Sequence, residues 1–359
     1  MKNKKNDIFF AIFLIFQLVF VQVISKFPSI IEKYYSQGIY KYISNFFRIL
    51  VGWIPFSIGD LLYIIFIIYI VHTIIKNIKS KKINLIKLIS RVSIIYFCFH
   101  FFWGFNYLRE PLSQTMKIND LEYTTEDLEF FTNQLIEKTN NLHHKITNND
   151  TIKVELPYSK KEIYTMVSNG YQKLSDSYPQ FEYKNKSIKH SIISLPLTYM
   201  GFSGYLNPFT GEAQVNSLNP VVSFPSTSCH EVGHQIGYAA ENEANFVGFL
   251  AAVSNNDVYF KYSGYFMALR YTLNDLYRHD KDKYNIALKN INKGILKNMQ
   301  ESKDFWQSYQ NPFEVYFKSI FNSFLKVNKQ PEGIKSYSKM VGMLINYNKT
   351  ENNILQFNN

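Results

Sequence analysis

Three long apolar runs occupy the first third of the chain. Residues 8–25, 54–75 and 92–108 carry almost no charge, and each run is long enough for a helix that crosses the hydrocarbon core of a bilayer. Buried helices of a soluble protein are the alternative interpretation, but such helices rarely continue this far without a polar face. We therefore predict three transmembrane helices, with Asp60 at the membrane interface or in a functional position.

The charge pattern predicts how these helices are oriented. Residues 1–108 contain 13 Lys and Arg against three acids, whereas residues 109–359 contain 26 against 25, and we treat the two parts as a membrane anchor and a second domain. Because the basic excess flanks the apolar runs, it favours the lipid bilayer as a partner and argues against nucleic acid. Basic loops stay in the cytoplasm, so we expect a multi-pass cell-membrane protein with a cytoplasmic N-terminus and an extracytoplasmic second domain. The loop that decides this contains six basic residues and no acid: Lys76, Lys79, Lys81, Lys82, Lys87 and Arg91.

Residues 109–359 show the periodicity of a mainly helical domain. Capping-box pairs that begin at Thr124 and Ser159 precede apolar stripes of helical period. Short β-prone runs at 187–197 and 213–218 predict strands joined by tight Gly and Pro turns. The predicted fold is therefore a membrane-anchored α+β protein with a small β-sheet just before the motif described next. After that motif the chain is helical again, with an apolar stripe formed by Tyr262, Tyr265, Phe266, Leu269, Leu273 and Leu276.

The sequence from His230 to His234, His-Glu-Val-Gly-His, is a candidate metal site. Two histidines four residues apart project from the same face of a helix, and both can bind Zn²⁺ through neutral imidazole nitrogens. Glu231 would then face the metal-bound water and act as the general base. Ser228 lies three residues before Glu231, which is capping-box spacing and predicts that a helix begins there. The polar residues around the motif argue against a site inside the membrane.

A zinc site of this kind needs a third protein ligand, and we expect Glu241, with Glu243 as the alternative. On one continuous helix Glu241 would lie about 10 Å beyond His234, so the helix must end between them. Gly237 is suited to that end, because glycine adopts the left-handed conformation that follows many helices. A second helix would then fold back and present Glu241, with Asn245 one turn later to orient a ligand histidine.

The motif and its surroundings resemble a family of bacterial membrane proteins catalogued as domain of unknown function 3810, and more distantly the gluzincin metallopeptidases. This resemblance implies a zincin-like fold on a membrane anchor, with His230, His234 and Glu241 as zinc ligands and Glu231 as the general base. Asn245 stands where gluzincins usually have Asp, and only six residues separate His234 from Glu241. The resemblance extends over nearly the whole chain, through HEVGHQIGYAAENEANF (230–246), PFSIGDLLY (55–63), WGFNYLREPL (103–112), GFSGYLNPFTGEAQVNSLNP (201–220), YSGYFMALRY (262–271) and EGIKSYSKMV (332–341).

Together these features predict a zinc-dependent endopeptidase that acts on a peptide or protein substrate of the cell envelope. Zinc with three protein ligands keeps a position for water and lowers its pKa to about 7, and Glu231 would pass the water's proton to the leaving amine. The 213–218 run could hold an extended substrate as an edge strand, or be an ordinary hairpin strand. A catalytically silent zincin-like domain, used as a binding or assembly module, is the alternative function, although Glu231 favours an enzyme. Four residues are candidates for stabilising the oxyanion: Tyr205, Tyr262, His279 and Tyr337.

Overall fold

The described part of the chain begins with three helices that are long and apolar enough to cross a membrane. The computed structural model describes residues 2–80, 84–118, 121–330, 337–350 and 353–355. Lys81 and Lys82 of the basic loop, and residues 332–336 of the 332–341 segment, lie outside the described residues. Membrane association of the first third is therefore supported by both hydropathy and helix length. The three candidate spans are Lys4–Ile24, Ile58–Ser80 and Leu85–Phe102.

The chain is mainly helical, with one small sheet. Around the spans the helices are α1 (Lys2–Ile24), α2 (Pro28–Ile30), α3 (Tyr40–Val51), α4 (Ile58–Ser80) and α5 (Leu85–Phe102), with a π-helical segment at Ile31–Ile39. The strands are β1 (Ile188–His190), β2 (Gly204–Asn207) and β3 (Glu212–Val215). The other helices are α6 (Leu112–Thr115), α7 (Thr125–Thr147), α8 (Lys160–Ser177), α9 (Ser194–Tyr199), α10 (Phe224–Gln235), α11 (Glu241–Ser254), α12 (Val258–His279), α13 (Lys281–Lys289), α14 (Lys293–Ser308), α15 (Glu314–Val327) and α16 (Tyr337–Asn348).

All three spans have different bounds from those predicted, and the first begins at Lys4 rather than at residue 8. The second begins after Ser57, whose Oγ accepts a hydrogen bond from the Asp60 N–H at 2.9 Å. The third begins after Asn84, which caps its first turn, and it ends at Phe102 rather than at residue 108. Residues Gly104–Leu108 instead form a 3-10 turn whose apolar side chains are mostly buried in protein. Hydropathy extended this span too far because it does not distinguish burial in protein from burial in lipid.

The predicted helical stripes and capping boxes of residues 109–359 are confirmed. The Thr124 side chain accepts the Asp127 N–H at 3.1 Å, and the Asp127 carboxylate accepts the Thr124 N–H in return. Ser159 and Glu162 form the same reciprocal pair at the start of α8. These helices pack around α11 and α12, and every member of the α12 stripe is at most 4% exposed: Tyr262, Tyr265, Phe266, Leu269, Leu273 and Leu276.

The sheet has three strands in the order β1-β3-β2. β1 is parallel to β3, and β2 is antiparallel to it, with Gly204 opposite Val215. β3 is therefore the central strand. Of the two interpretations of the 213–218 run, the edge strand open to a substrate is wrong, and residues 213–215 instead belong to a hairpin with β2. The predicted strand character of residues 194–197 is also wrong, because they lie in helix α9. A short apolar run fits a strand and a short helix equally well by periodicity alone.

The second span is attached to this sheet through buried carboxylates. Glu212 of β3 accepts the Gly59 N–H at 2.5 Å in the first turn of α4, where a carboxylate is favoured by the helix dipole. Asp60 accepts the Ile192 N–H at 2.6 Å and the Tyr205 hydroxyl, and its side chain is fully buried. Asp60, expected at the membrane interface or in a functional position, thus joins the start of the second span to the sheet.

Candidate metal centre

Helix α10 carries the two histidines and begins earlier than predicted. It starts at Phe224, and Pro225 occupies the first turn, where a missing N–H costs nothing. The Ser226 and Ser228 hydroxyls donate backwards to the carbonyls of Ser223 (3.0 Å) and Phe224 (2.8 Å), respectively. Ser228 is thus inside the helix, and the prediction that it caps the N-terminus is wrong.

The predicted break after the histidines is confirmed. Helix α10 ends at Gln235, and Gly237 follows with φ +102°, a left-handed conformation that favours glycine. The Gly237 N–H donates to His234 O (2.9 Å) and the Tyr238 N–H to Gly233 O (3.1 Å), which is the Schellman pattern of helix ends. The chain therefore reverses within a few residues, and α11 folds back along α10.

Small residues let the two helices come into backbone contact. A Cβ on Gly248 would lie 2.7 Å from the His230 N and 2.8 Å from its Cα. One on Gly233 would lie 3.4 Å from the Ala244 Cα. Because the backbones are this close, the first turn of α11 lies beside the face of α10 that carries the histidines.

The side chain that this reversal brings to the histidines is Glu241. Its Oε2 is 3.6 Å from the His230 Nε2, and its Oε1 is 3.6 Å from the His234 Nε2. Ligand atoms of one tetrahedral zinc ion, bound at 2.0 to 2.1 Å, lie about 3.3 Å apart. The Glu231 carboxylate is nearby, since one ligand atom from each of His230, Glu231 and His234 falls within 4.8 Å of the others.

Neighbouring groups hold both imidazole rings. The His234 Nδ1 is 2.7 Å from the Tyr238 carbonyl, so Nδ1 carries a proton and the ring is held with its Nε2 toward Glu241. Trp103, just beyond the third span, donates from Nε1 to the His234 carbonyl at 3.3 Å and lies edge-on to its ring. The Asn245 side chain interacts with the His230 ring and favours its protonated form, which places Asn245 beside the histidine that it was predicted to orient.

Two buried polar atoms at this centre have no hydrogen-bond partner in the described part of the chain: Glu231 Oε2 and His230 Nδ1. A buried polar atom without a partner needs a physical explanation, and a catalytic role or a bound ion is one such explanation. Gly204 of the edge strand β2 lies directly over Glu231, where a Cβ would collide with the Glu231 carboxylate. The donor set of two imidazoles and one carboxylate, beside an unpaired acid, fits a zinc ion.

The pKa values of the four side chains are strongly shifted. Burial raises the pKa of Glu231 to about 8, and burial together with His234 lowers the pKa of His230 to about 4. Burial also opposes the charge on His234, but the Glu241 carboxylate outweighs it and raises the pKa of His234 to about 9. Burial likewise opposes the charge on Glu241, yet His234 outweighs it, and the pKa of Glu241 is lowered. Without metal, His234 and Glu241 therefore form an ion pair at neutral pH.

A family model described as "Protein of unknown function (DUF3810)" matches residues 35–345. This chain belongs to the DUF3810 family. The matched region begins before α3 and ends in α16, so it contains the second and third spans, the sheet and the candidate metal centre of this DUF3810 protein. Comparison with curated proteins and with solved structures finds no match.

Glu243, the alternative third ligand, faces away from the histidines of the DUF3810 protein. Its Oε1 accepts the Leu112 N–H at 2.7 Å, and burial raises its pKa. Next to it, Arg109 pairs with Glu32 at 2.8 Å and donates to the Gly237 carbonyl at 2.8 Å. Arg109 and Leu112, which follow the third span, therefore stabilise the turn between α10 and α11. Spacing within the motif did not predict this role.

The candidate oxyanion groups that the structure describes have other partners in this DUF3810 protein. The Tyr205 hydroxyl donates to Asp60, and the Tyr262 hydroxyl donates to the Asn298 side chain at 3.1 Å inside the core. The His279 Nδ1 lies 3.0 Å from the Asp275 carbonyl at the end of α12. The side chain of Tyr337, the fourth candidate, lies outside the described residues.

We expect zinc affinity of the DUF3810 protein to rise about tenfold per pH unit between pH 6 and pH 8. The pKa of His234 in the metal-free protein is raised to about 9, so below that pH zinc must displace a proton from the ring. Above about pH 9 the ring is already neutral and the dependence should level off. Calorimetric zinc titrations in two buffers of different ionisation enthalpy measure the released proton, and His144→Ala, an exposed histidine, serves as the control. Affinity that is flat over this range contradicts the ion pair.

Proposed function

We propose that this DUF3810 protein is a membrane-anchored, zinc-dependent endopeptidase. The observation that carries the proposal is the position of the Glu241 carboxylate, 3.6 Å from the Nε2 atoms of both histidines, beside the buried and unpaired Glu231. His230, His234 and Glu241 would hold the metal, and Glu231 would remain free for proton transfer. This division of roles is the one expected of a hydrolytic zinc site.

Bound zinc would supply a Lewis acid that polarises a substrate carbonyl and acidifies water. Glu231 would accept the proton of the attacking water and donate it to the leaving amine. In the metal-free protein burial raises the pKa of this carboxyl to about 8, and a strongly shifted pKa of this kind is typical of acids that exchange protons at a functional site. Strand β2, an edge strand with Gly204 directly over Glu231, would hold an extended peptide next to this carboxyl.

The contacts between the spans support an extracytoplasmic location for this centre. Phe13 contacts Phe97 and Phe20 contacts Phe105, so α1 and α5 run in the same direction. Their C-terminal ends and the start of α4, where Asp60 contacts the sheet, lie on the side of the second domain. The basic residues in the last turn of α4 and the first turns of α5, among them Lys79 and Lys87, are at the opposite ends of these helices, which the positive-inside rule assigns to the cytoplasm.

We expect the full-length protein, purified in detergent, to contain about one zinc ion per chain. His230→Ala should remove it, because the remaining two ligands hold zinc only weakly, whereas the exposed His144→Ala variant should retain it. Metal content after dialysis against a weak chelator measures both. Equal zinc in the His230→Ala and His144→Ala variants would refute the metal centre.

A centre that binds zinc but has no catalytic activity must be distinguished from an active endopeptidase. A silent binding or assembly module would keep zinc in the same test and yet leave the peptides of the cell envelope unchanged when Glu231 is replaced. The Glu231 experiment described in the Discussion makes this distinction.

A further inference from the structure

Helix α15 carries an apolar stripe that faces away from the protein. Residues spaced by three or four positions share one side of a helix, and Phe313, just before α15, begins such a series. The described chain covers little of these side chains, with exposed fractions of 68% for Phe313, 68% for Tyr316, 67% for Ile320 and 78% for Val327. Large exposed apolar patches of this kind mark a surface that something else covers.

The C-terminal half of α15 packs against the ends of two spans. Phe324 lies 5.9 Å from Phe99, in the last turn of the third span, and 5.9 Å from Tyr107 just beyond it. Lys329 donates to the Gln22 side chain, near the end of the first span, at 2.9 Å. Leu325, on the opposite side from Ile320, is fully buried in the same cluster.

The N-terminal end of α15 reaches toward the second span. Asn311 donates to the Tyr199 carbonyl at the end of α9, at 2.7 Å. The segment that leads into α9 contains Ile192, whose N–H binds Asp60 in the first turn of α4. Helix α15 therefore contacts the ends of the first and third spans directly, and Asn311, just before it, contacts the α9 segment that binds the start of the second span.

The charges of α15 suit an anionic lipid surface. Between residues 313 and 329 there are three lysines, Lys318, Lys326 and Lys329, against one acid, Glu314. Long lysine side chains can lie along an apolar surface and keep their charge at the headgroups. An amphipathic helix with a basic polar side and an aromatic-rich apolar side is typical of the membrane interface.

We propose that α15 lies in the interfacial layer of the lipid bilayer, with its stripe of Phe313, Tyr316, Ile320 and Val327 inserted among the acyl chains. The stripe is continuous with the apolar surface of the spans, which lipid surrounds. Lipid would therefore cover the stripe without any additional protein. This inference does not depend on bound zinc or on catalysis.

Insertion of α15 would also hold the candidate metal centre near the bilayer. Phe321 of α15 contacts Phe202 at a ring separation of 5.2 Å, and Phe202 lies two residues before Gly204, which covers Glu231. Trp103 links the end of the third span to His234 from the other side. A polypeptide that reaches the centre would therefore do so at the membrane surface.

A spin label at position 320 tests the proposal in the full-length protein, reconstituted in vesicles of phosphatidylethanolamine and phosphatidylglycerol. We would introduce Ile320→Cys in a Cys98→Ala background, because the remaining Cys229 is fully buried. Ile286→Cys in α13 is a matched control, since Ile286 is also an exposed helical isoleucine, at 58%. The measurement compares collisions with oxygen, which concentrates in lipid, and with a water-soluble nickel chelate.

The expected result is an oxygen-to-nickel collision ratio at least several-fold higher at position 320 than at position 286. Equal ratios would overturn the proposal, because they would place the stripe in water. Spectral broadening at position 320 that disappears on dilution with unlabelled protein would also overturn it, because a second copy of the chain would then cover the stripe. Neither readout involves zinc or cleavage, so failure here is distinguishable from failure of the proposed function.

Discussion

Replacement of Glu231 by glutamine will abolish peptide cleavage by this protein and leave its zinc in place. The amide has nearly the same shape as the carboxylate but cannot accept the proton of an attacking water, and general bases of this kind contribute about 10²- to 10⁴-fold to the rate. His230, His234 and Glu241 would be untouched in this variant, so metal content should stay at the wild-type value. Glu231→Gln therefore separates catalysis from metal binding.

The measurement compares the N-termini of extracytoplasmic proteins in cells that carry the wild type or Glu231→Gln. Termini that occur only with the wild type identify both the activity and its substrates. Glu137→Gln, an exposed position on α7, is the matched control and should leave all of them unchanged. If Glu231→Gln retains zinc and produces every wild-type terminus, Glu231 is not the base.

The thermal stability of Glu231→Gln tests whether its loss of peptide cleavage comes from unfolding. The Glu231 carboxyl is buried, and burial raises its pKa from 4.5 to about 8 in the metal-free protein, so ionisation of this group increasingly favours the unfolded chain as the pH rises from about 4.5 to about 8. A neutral amide removes this cost. We therefore expect the melting temperature of Glu231→Gln to be equal to or higher than that of the wild type.

Local features of this fold could be predicted from the sequence because they depend on a few neighbouring residues. The capping boxes at Thr124 and Ser159 and the left-handed turn at Gly237 each follow from side chains within four positions. The position of Glu241 beside the histidines also followed. On one continuous helix Glu241 would lie about 10 Å beyond His234, and a zinc–oxygen bond of about 2 Å cannot span that distance. Bond lengths and helix geometry therefore predicted where Glu241 lies, which residue preferences alone could not do.

Features that depend on distant pairs could not be predicted. The order of the strands places β3 in the centre, and nothing in the 213–218 run itself records that both of its sides are paired. The ion pair between Arg109 and Glu32 joins residues 77 positions apart. The buried Asp60 likewise meets Ile192 across 132 positions. Single-sequence periodicity contains no signal for such pairs, because each residue alone resembles an ordinary surface charge.

The end of the third span shows the same limit for apolar residues. Trp103, Tyr107 and Leu108 are at most 7% exposed, and they are buried around the reversal between α10 and α11. Hydropathy counts them as lipid-facing because it scores the side chain and not its neighbours. The resemblance of the 103–112 segment to a family segment was the one signal that these residues have a role beyond the membrane.

Glu241→Ala and Glu243→Ala will have opposite effects, although the two acids are only two residues apart. Glu241→Ala removes the carboxylate that lies 3.6 Å from both Nε2 atoms, and we expect zinc affinity to fall by more than about 100-fold, beyond the loss seen when an outer-shell partner is removed. Below about pH 9 this replacement also removes the ion pair with His234, so metal-free stability should fall there, whereas above that pH, where the ring is neutral, it should change little.

Glu243→Ala should instead keep zinc and lose stability. The Leu112 N–H, which now donates to Glu243 at 2.7 Å, would be left buried without that acceptor, at a cost of about 1 to 3 kcal/mol. Nearby Arg109 would keep Glu32 as its partner, so the charge of Arg109 remains compensated. Chelator competition gives the zinc affinity of each variant, and thermal unfolding of the metal-free proteins gives the stability. The reverse pattern, with zinc lost in Glu243→Ala and retained in Glu241→Ala, would assign the third ligand to Glu243.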